Sequence, residues 1–285
     1  MKGIHMRNLL RALLVSMAAF LAFPAQGAGG VAFVTDIKGD VSVDGTPRPM
    51  LMSELAKGQK VVIGKDSLLA VMFIQSGKEY LLKGPADYTI GERDIASGIG
   101  MPPVARETAW RANNQVLVKV AQTSSASIRM RSIAPPKPEP KAKLEFPTRG
   151  AVTQLQPTLR WTLPEGNAQA DVTIAVAGKE DKPFARAKVG GTSHRFPAKL
   201  QPDTEYAWSV AVAGQEIGTA RFRTLPAAAL QDAQKRRPAE KAEFSDRLMY
   251  ALLLQEMGAV QEAQEAWAKL AQERSDLPEL ANLAK

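Results

Sequence analysis

The chain has 285 residues, a formal net charge of +8 at pH 7, and an ordinary globular balance of 45% hydrophobic and 23% charged residues. This length accommodates two or three domains. The absence of cysteine excludes disulfide bonds, thiolate metal sites and cysteine nucleophiles. No block of five or more like charges occurs, and such diffuse positive charge does not resemble the clustered basic face of a nucleic-acid-binding protein.

Residues 1–28 have the pattern of a secretory signal peptide. Basic residues and no acidic ones occupy the start of the chain, and a mainly apolar run follows over residues 12–23. This run is shorter than the roughly 20 residues that span a bilayer. The pattern therefore favours cleavage, after Gly27 or Ala28, over a retained membrane anchor. We expect a mature protein in the periplasm, without a transmembrane segment.

Short strands dominate residues 29–133. Apolar residues recur at every second position in several short runs, and glycine or aspartate separates many of these runs. That pattern predicts an all-β sheet or roll. The runs lie at residues 31–35, 41–43, 61–63, 69–73, 80–82, 116–120 and 128–130.

The first five of these runs stand in a recognisable order. It consists of Gly-Asp-Val-Ser-Val at residues 39–43, Leu-Ala-Lys-Gly-Gln-Lys-Val-Val-Ile-Gly at residues 55–64, a strand at residues 67–73 and a glycine turn at Ser76-Gly77. This order resembles the FecR-type periplasmic domain. The resemblance implies a β domain of a kind found in regulators of iron uptake and in many envelope proteins. A sensory or regulatory function in the envelope is therefore one hypothesis.

A proline-rich segment separates this region from the next. Four prolines occur within residues 134–141, and proline holds the backbone near the extended polyproline conformation. The composition predicts a linker over residues 134–142. Just upstream, residues 108–114, which include Trp110, are expected to form a short helix or a loop.

Residues 143–225 contain the most informative stretch, Leu-Gln-Pro-Asp-Thr-Glu-Tyr-Ala-Trp at residues 200–208. It resembles the corner before a late strand of a fibronectin type III or related immunoglobulin-like sandwich. In such a corner the tyrosine packs its ring in the core and bonds its hydroxyl to nearby backbone. The resemblance implies that Tyr206 and Trp161 are core residues. An exposed aromatic platform for carbohydrate is the alternative.

Residues 226–285 change to a helical period, with apolar residues recurring from Phe244 to Leu252 and from residue 260 to residue 271. Gly258 lies between the two runs and suits a helix C-terminus. The spacing of small and aromatic residues across Gly258 is similar to a single tetratricopeptide repeat. We expect a helical hairpin followed by a short third helix.

One helical hairpin cannot bury its own apolar face well. It therefore has to pack on the sandwich, on another copy of the chain, or on a partner. We expect Tyr250, Leu253 and Met257 to lie opposite the packing face and to contact a partner protein. This partner is expected in the envelope, and a peptidoglycan-associated protein is one candidate. The sequence does not indicate an oligomeric state.

Catalytic chemistry has little support in the sequence. His194 is the one histidine that remains after cleavage, and no local nucleophile or acid accompanies it. We expect it at the surface, and we predict no catalytic, metal-binding or cofactor-binding residue.

The predicted fold class is mainly β, a FecR-like domain plus a fibronectin-like sandwich, with a C-terminal α-helical hairpin. The favoured function is a non-catalytic periplasmic interaction or scaffold protein of the Gram-negative envelope. The alternatives are the sensory protein and an envelope hydrolase.

Overall fold

The computed structural model describes residues 30–110, 117, 143–163 and 169–284. Within them the chain is mainly β, and eighteen strands in four sheets are followed by helices at the C-terminal end. This confirms the predicted fold class of mainly β structure with a β-sandwich and C-terminal helices. The predicted signal peptide, residues 1–28, and the whole of the predicted linker, residues 134–142, lie outside the described residues.

The N-terminal β unit contains ten strands. They are β1 Ala32–Lys38, β2 Val41–Val43, β3 Thr46–Pro47, β4 Glu54–Leu55, β5 Lys60–Ile63, β6 Leu68–Phe73, β7 Glu79–Lys83, β8 Ala86–Ile90, β9 Ile95–Ser97 and β10 Val104–Arg106. They form two antiparallel sheets, in the orders β10-β7-β6-β1-β4 and β3-β2-β5-β8-β9. Every alternating run predicted between residues 31 and 82 coincides with one of these strands.

Eight further strands form the sandwich. They are β11 Lys143–Phe146, β12 Ala151–Val152, β13 Leu159–Thr162, β14 Gln169–Val176, β15 Ala185–Gly190, β16 Ser193–His194, β17 Glu205–Val212 and β18 Gln215–Thr224. The sheet orders are β11-β13-β16 and β12-β18-β17-β14-β15.

The predicted tyrosine corner is present in the sandwich. The ring of Tyr206 is fully buried, and its hydroxyl accepts a hydrogen bond from the backbone N–H of Gln201 at 2.9 Å. Trp161 is buried in the same core, and the indole of Trp208 donates to the carbonyl oxygen of Pro147. These aromatic side chains are core residues, so the alternative of an exposed carbohydrate platform is wrong.

The helical unit comprises α1 Ala227–Arg236, α2 Phe244–Glu256, α3 Val260–Glu273 and α4 Pro278–Leu283. The predicted hairpin corresponds to α2 and α3, and Gly258 between them adopts a left-handed φ of 77°, as a helix C-terminus requires. The short third helix corresponds to α4. Helix α1 was not predicted as a separate element.

The helical unit and the N-terminal β unit share one hydrophobic core, whereas the sandwich has a core of its own. Helix α2 packs on β1. In β6, five of six residues are buried, and because neighbouring strand residues point to opposite faces, both faces of this strand are covered. The helices therefore complete the N-terminal unit, although the sandwich separates them from it along the chain.

The strand predicted at residues 116–120 requires correction at Leu117. Of residues 116–120, only Leu117 is described, and it is helical and fully buried in the shared core. A short apolar run fits a buried helix as well as a strand, so periodicity alone does not separate the two. The predicted strand at residues 128–130 lies outside the described residues.

A buried polar network joins the N-terminal β unit to α2. A bulge in the pairing of β1 with β6 leaves Thr35 without a partner residue, and its hydroxyl donates to the carboxylate of Glu79 at 2.6 Å. The same carboxylate accepts from Arg106 and from Ser245 on α2. Arg106 also pairs with Asp246 at 2.6 Å.

These hydrogen bonds stabilise the protonated, positively charged form of Arg106. Burial opposes that charge, but the bonds from the guanidinium to Asp246 and Glu79 outweigh it and raise the pKa of Arg106 above its ordinary value.

Replacing the arginine tests how much this network contributes to stability. The variant Arg106→Met leaves the carboxylate of Glu79 buried without its cationic partner, and we expect the free energy of unfolding to fall by about 3–5 kcal/mol. Removing both charges, in Glu79→Met/Arg106→Met, restores part of this loss. Urea denaturation measures both effects. The exposed Arg93→Met is the control, with a change within about 0.5 kcal/mol, and an equal loss in this control would contradict the assignment.

Candidate binding cleft

The start of α3 is attached to the first strands of the sandwich through hydrogen bonds. The side chain of Gln261 accepts from the backbone N–H of Thr148 at 2.6 Å and donates to the carbonyl oxygen of Glu145 at 2.9 Å. The carboxylate of Glu262 accepts from the backbone N–H of Thr153 at 3.2 Å. These contacts satisfy backbone groups outside the β-ladders and hold the sandwich against the helical unit.

Gly150 allows the two parts to approach closely. A Cβ atom at this position would lie 2.7 Å from the carbonyl oxygen of Gly258, and the φ of Gly150 is 70°. The backbone N–H of Ala151 donates to that same carbonyl oxygen at 2.8 Å. A side chain at residue 150 would therefore push the sandwich away from the α2–α3 turn.

Beside this attachment lies a cavity of about 470 Å³, which we call the junction cleft. It opens between the sandwich and the helical unit, so its walls come from two parts of the fold. Its floor is apolar and its rim carries charged side chains. The floor is formed by Phe146, Pro157, Leu254, Ala266 and Leu270, and the rim by Thr158, Arg160, Arg237, Glu240, Arg247, Glu265 and Lys269.

Ion pairs stabilise the rim of the junction cleft. Arg160 on β13 pairs with Glu265 on α3, and its guanidinium also lies over the ring of Phe146 at 4.7 Å. Arg247 pairs with Glu273, which raises the pKa of Arg247. The first pair bridges the sandwich and α3, so it fixes one wall against the other.

The half-buried Glu262 and the buried Tyr250 also line the cleft. Burial raises the pKa of the Glu262 carboxyl, against the opposing hydrogen bonds from Thr153. The hydroxyl of Tyr250 is buried beside Arg237 and Thr153 without a well-aligned hydrogen bond to either. Burial raises its pKa against the opposing charge of Arg237 and the polar contacts of both neighbours. A buried hydroxyl without a well-formed hydrogen bond is uncommon in folded proteins, so this group is a candidate contact for a bound ligand.

The expected docking face on α2 requires correction. Tyr250 is 8% exposed and Leu253 is 1% exposed, and both belong to the shared core, while Met257 is half-buried against it. All seven residues from Leu248 to Leu254 are buried, as is typical of a helix that is apolar on every side. These three residues therefore do not form an exposed face. Of these three residues, only Tyr250 lines the junction cleft.

The rest of the described chain offers little for catalysis or metal binding. His194 is half-buried in β16, with its ring 4.5 Å from that of Phe196, and burial lowers its pKa. No group of three His, Asp or Glu side chains gathers as metal ligands in the part of the chain that the structure describes. Nor does any helix there have the length and apolar character needed to cross a membrane.

A second cavity, of about 700 Å³, lies between the N-terminal β unit and the helical unit. Arg274 pairs there with both Asp36 and Asp276, and Arg247 with Glu273. Ile37 and Phe244 are the larger apolar residues of its lining, so the junction cleft, whose floor carries more apolar side chains, is the stronger candidate for binding.

Comparison with protein-family models and with curated proteins gives no match to this chain. The FecR-like, fibronectin-like and tetratricopeptide-like resemblances therefore stay predictions.

The half-buried Glu262 predicts a pH dependence of stability. Its pKa is raised in the folded chain above the ordinary 4.5, so the native state binds the proton more tightly than the unfolded state. The free energy of unfolding then falls as the pH rises from 4.5 through the raised pKa. In Glu262→Gln the amide oxygen still accepts from the backbone N–H of Thr153, and no carboxyl group has to lose its proton. We therefore expect this variant to have a higher free energy of unfolding than the wild type at neutral pH.

Urea denaturation at several pH values measures this difference, which should shrink toward acidic pH. Glu265→Gln is the control, because its exposed pair with Arg160 contributes about 0–1 kcal/mol. A Glu262→Gln variant that is less stable than wild type at neutral pH would refute the assignment.

Proposed function

We propose that this chain is a non-catalytic interaction protein of the Gram-negative periplasm, and that the junction cleft binds an extended segment of a partner protein. The observation that carries this proposal is the cleft itself, which combines an apolar floor with a charged rim and a buried tyrosine hydroxyl without a well-formed hydrogen bond. Such a combination is typical of ligand-binding sites, where apolar contacts supply affinity and a few polar groups fix orientation.

The shape of the cleft favours a polypeptide segment. Its floor includes Phe146 and Pro157 from the sandwich and Leu254 from α2, so apolar side chains of a segment would contact both walls. Its rim presents the cations of Arg237 and Lys269 beside the carboxylate of Glu240. Backbone amides and mixed side chains of a peptide complement such a rim, with aromatic and aliphatic anchors at the floor.

The periplasmic location and the non-catalytic nature of the protein are supported by the sequence. They depend on the signal-peptide pattern of residues 1–28 and on the absence of a local nucleophile or acid beside His194. The sensory hypothesis depends on the FecR-like resemblance alone, and no contact described above favours it.

Panning a library of random twelve-residue peptides against the immobilised protein tests the proposal. We expect the selected peptides to converge on a common pattern. The exposed Thr158→Trp fills the mouth of the cleft, and it should weaken binding of the selected peptide at least tenfold. Thr219→Trp, an equally exposed threonine on β18 away from the cleft, is the matched control. Fluorescence anisotropy measures the dissociation constants.

Two outcomes would contradict the proposal. One is a library that yields no common pattern. The other is a selected peptide that binds the Thr158→Trp and Thr219→Trp variants equally well.

A further inference from the structure

The sandwich has one long and regular sheet edge, strand β15. It is the last strand of the sheet β12-β18-β17-β14-β15, and it pairs with β14 over six residues without a register shift. Its other side has no strand partner among the described residues. An edge strand of this kind presents a row of unpaired N–H and C=O groups.

The other described edges are short or irregular. Strands β3, β4, β12 and β16 have two residues each, β9 and β10 have three, and β11 has four with a register shift. Short edge strands and bulges are the usual means by which proteins prevent strand addition. The outer side of β18 is also unpaired over residues 215–222, because β12 pairs only with Arg223 and Thr224 among the described residues, but β18 carries a register shift against β17. Among the strands at the ends of the described sheets, β15 alone combines the length of an ordinary strand with a regular register.

The two faces of β15 differ in character. Ala187 and Val189 are half-buried and pack against the core of the sandwich, while Arg186 and Lys188 are exposed on the opposite face. Phe184, just before the strand, is 39% exposed and contacts the ring of Tyr206. Because directly opposite residues of paired strands interact, an added strand would place apolar side chains beside Ala187 and Val189, and acidic ones beside the two cations.

The charge around this edge favours an acidic strand. Residues 179–190 contain four lysines and arginines but two acidic residues, and one of these, Glu180, is paired with Arg221. The nearest carboxylate to Lys188, on Asp171, lies 4.0 Å away in an exposed pair. If β15 strands of two copies paired, Arg186 and Lys188 of one copy would lie close to the same two cations of the other. This repulsion disfavours self-pairing.

We propose that β15 binds an extended peptide in which apolar and acidic residues alternate, and that this peptide adds a sixth strand to the sheet. This binding surface is separate from the junction cleft, and the proposal does not depend on the function proposed for the cleft.

Two synthetic peptides test this proposal. The first alternates valine with glutamate over eight residues, and the second alternates valine with lysine. We expect the purified protein to bind the glutamate peptide at least tenfold more tightly, as fluorescence anisotropy measures. In nuclear magnetic resonance spectra, alternate backbone amides of residues 185–190 should become protected from hydrogen exchange when this peptide binds.

Matched charge reversals connect the binding to β15. Arg186→Glu/Lys188→Glu should weaken binding of the glutamate peptide at least tenfold. Arg195→Glu/Lys199→Glu reverses one exposed arginine and one exposed lysine of the same sandwich, and it should change the affinity less than threefold. The Thr158→Trp variant, which fills the junction cleft, should bind the glutamate peptide as the wild type does.

Several results would overturn the proposal. They are equal binding of the two peptides, equal losses in the two charge-reversal variants, protection of amides outside β15, or a dimer that forms through β15 and excludes the peptide.

Discussion

The fold depends on the enclosure of helix α2. Seven consecutive residues of this helix, from Leu248 to Leu254, are buried, and such a helix is not stable with any side exposed to water. The N-terminal β unit needs a cover for the same reason, because most residues of β1 and β6 are buried on both faces of their strands. Each part therefore buries the other, and the Glu79–Arg106–Ser245 network fixes their relative position in the core.

The enclosed α2 also determines where α3 and the sandwich lie. Helix α3 pairs with α2, and its first turn holds the sandwich through Gln261 and Glu262. The junction cleft exists because two folded parts meet at this turn and leave space between them. Strand β15 belongs to a different part of the sandwich from these contacts, so its edge stays open. Both proposed binding surfaces are thus built on well-packed elements, which suits specific recognition.

Local patterns in the sequence predicted local structure well. Alternation identified β1, β2, β5, β6 and β7 of the N-terminal β unit, the corner at Tyr206 was correct, and Gly258 follows the end of α2 as expected. What the sequence did not reveal was which surfaces meet. Pairing of α2 with β1 joins residues about two hundred positions apart in the chain, and periodicity carries no information about such contacts. The unbroken apolar run from Leu248 to Leu254 was the available signal that Tyr250 and Leu253 are enclosed, and β15, with its small and charged residues, gave no strong strand pattern.

The most direct test of this account is native-state hydrogen exchange on Leu248→Ala, which removes a buried side chain of α2. Such a substitution typically costs about 2–5 kcal/mol. If the helices and the N-terminal β unit share one core, the opening free energies of amides in β1 and β6 should fall by the same amount as those in α2. A loss confined to α2, with unchanged protection in β1 and β6, would show that the helices are a separate cooperative unit.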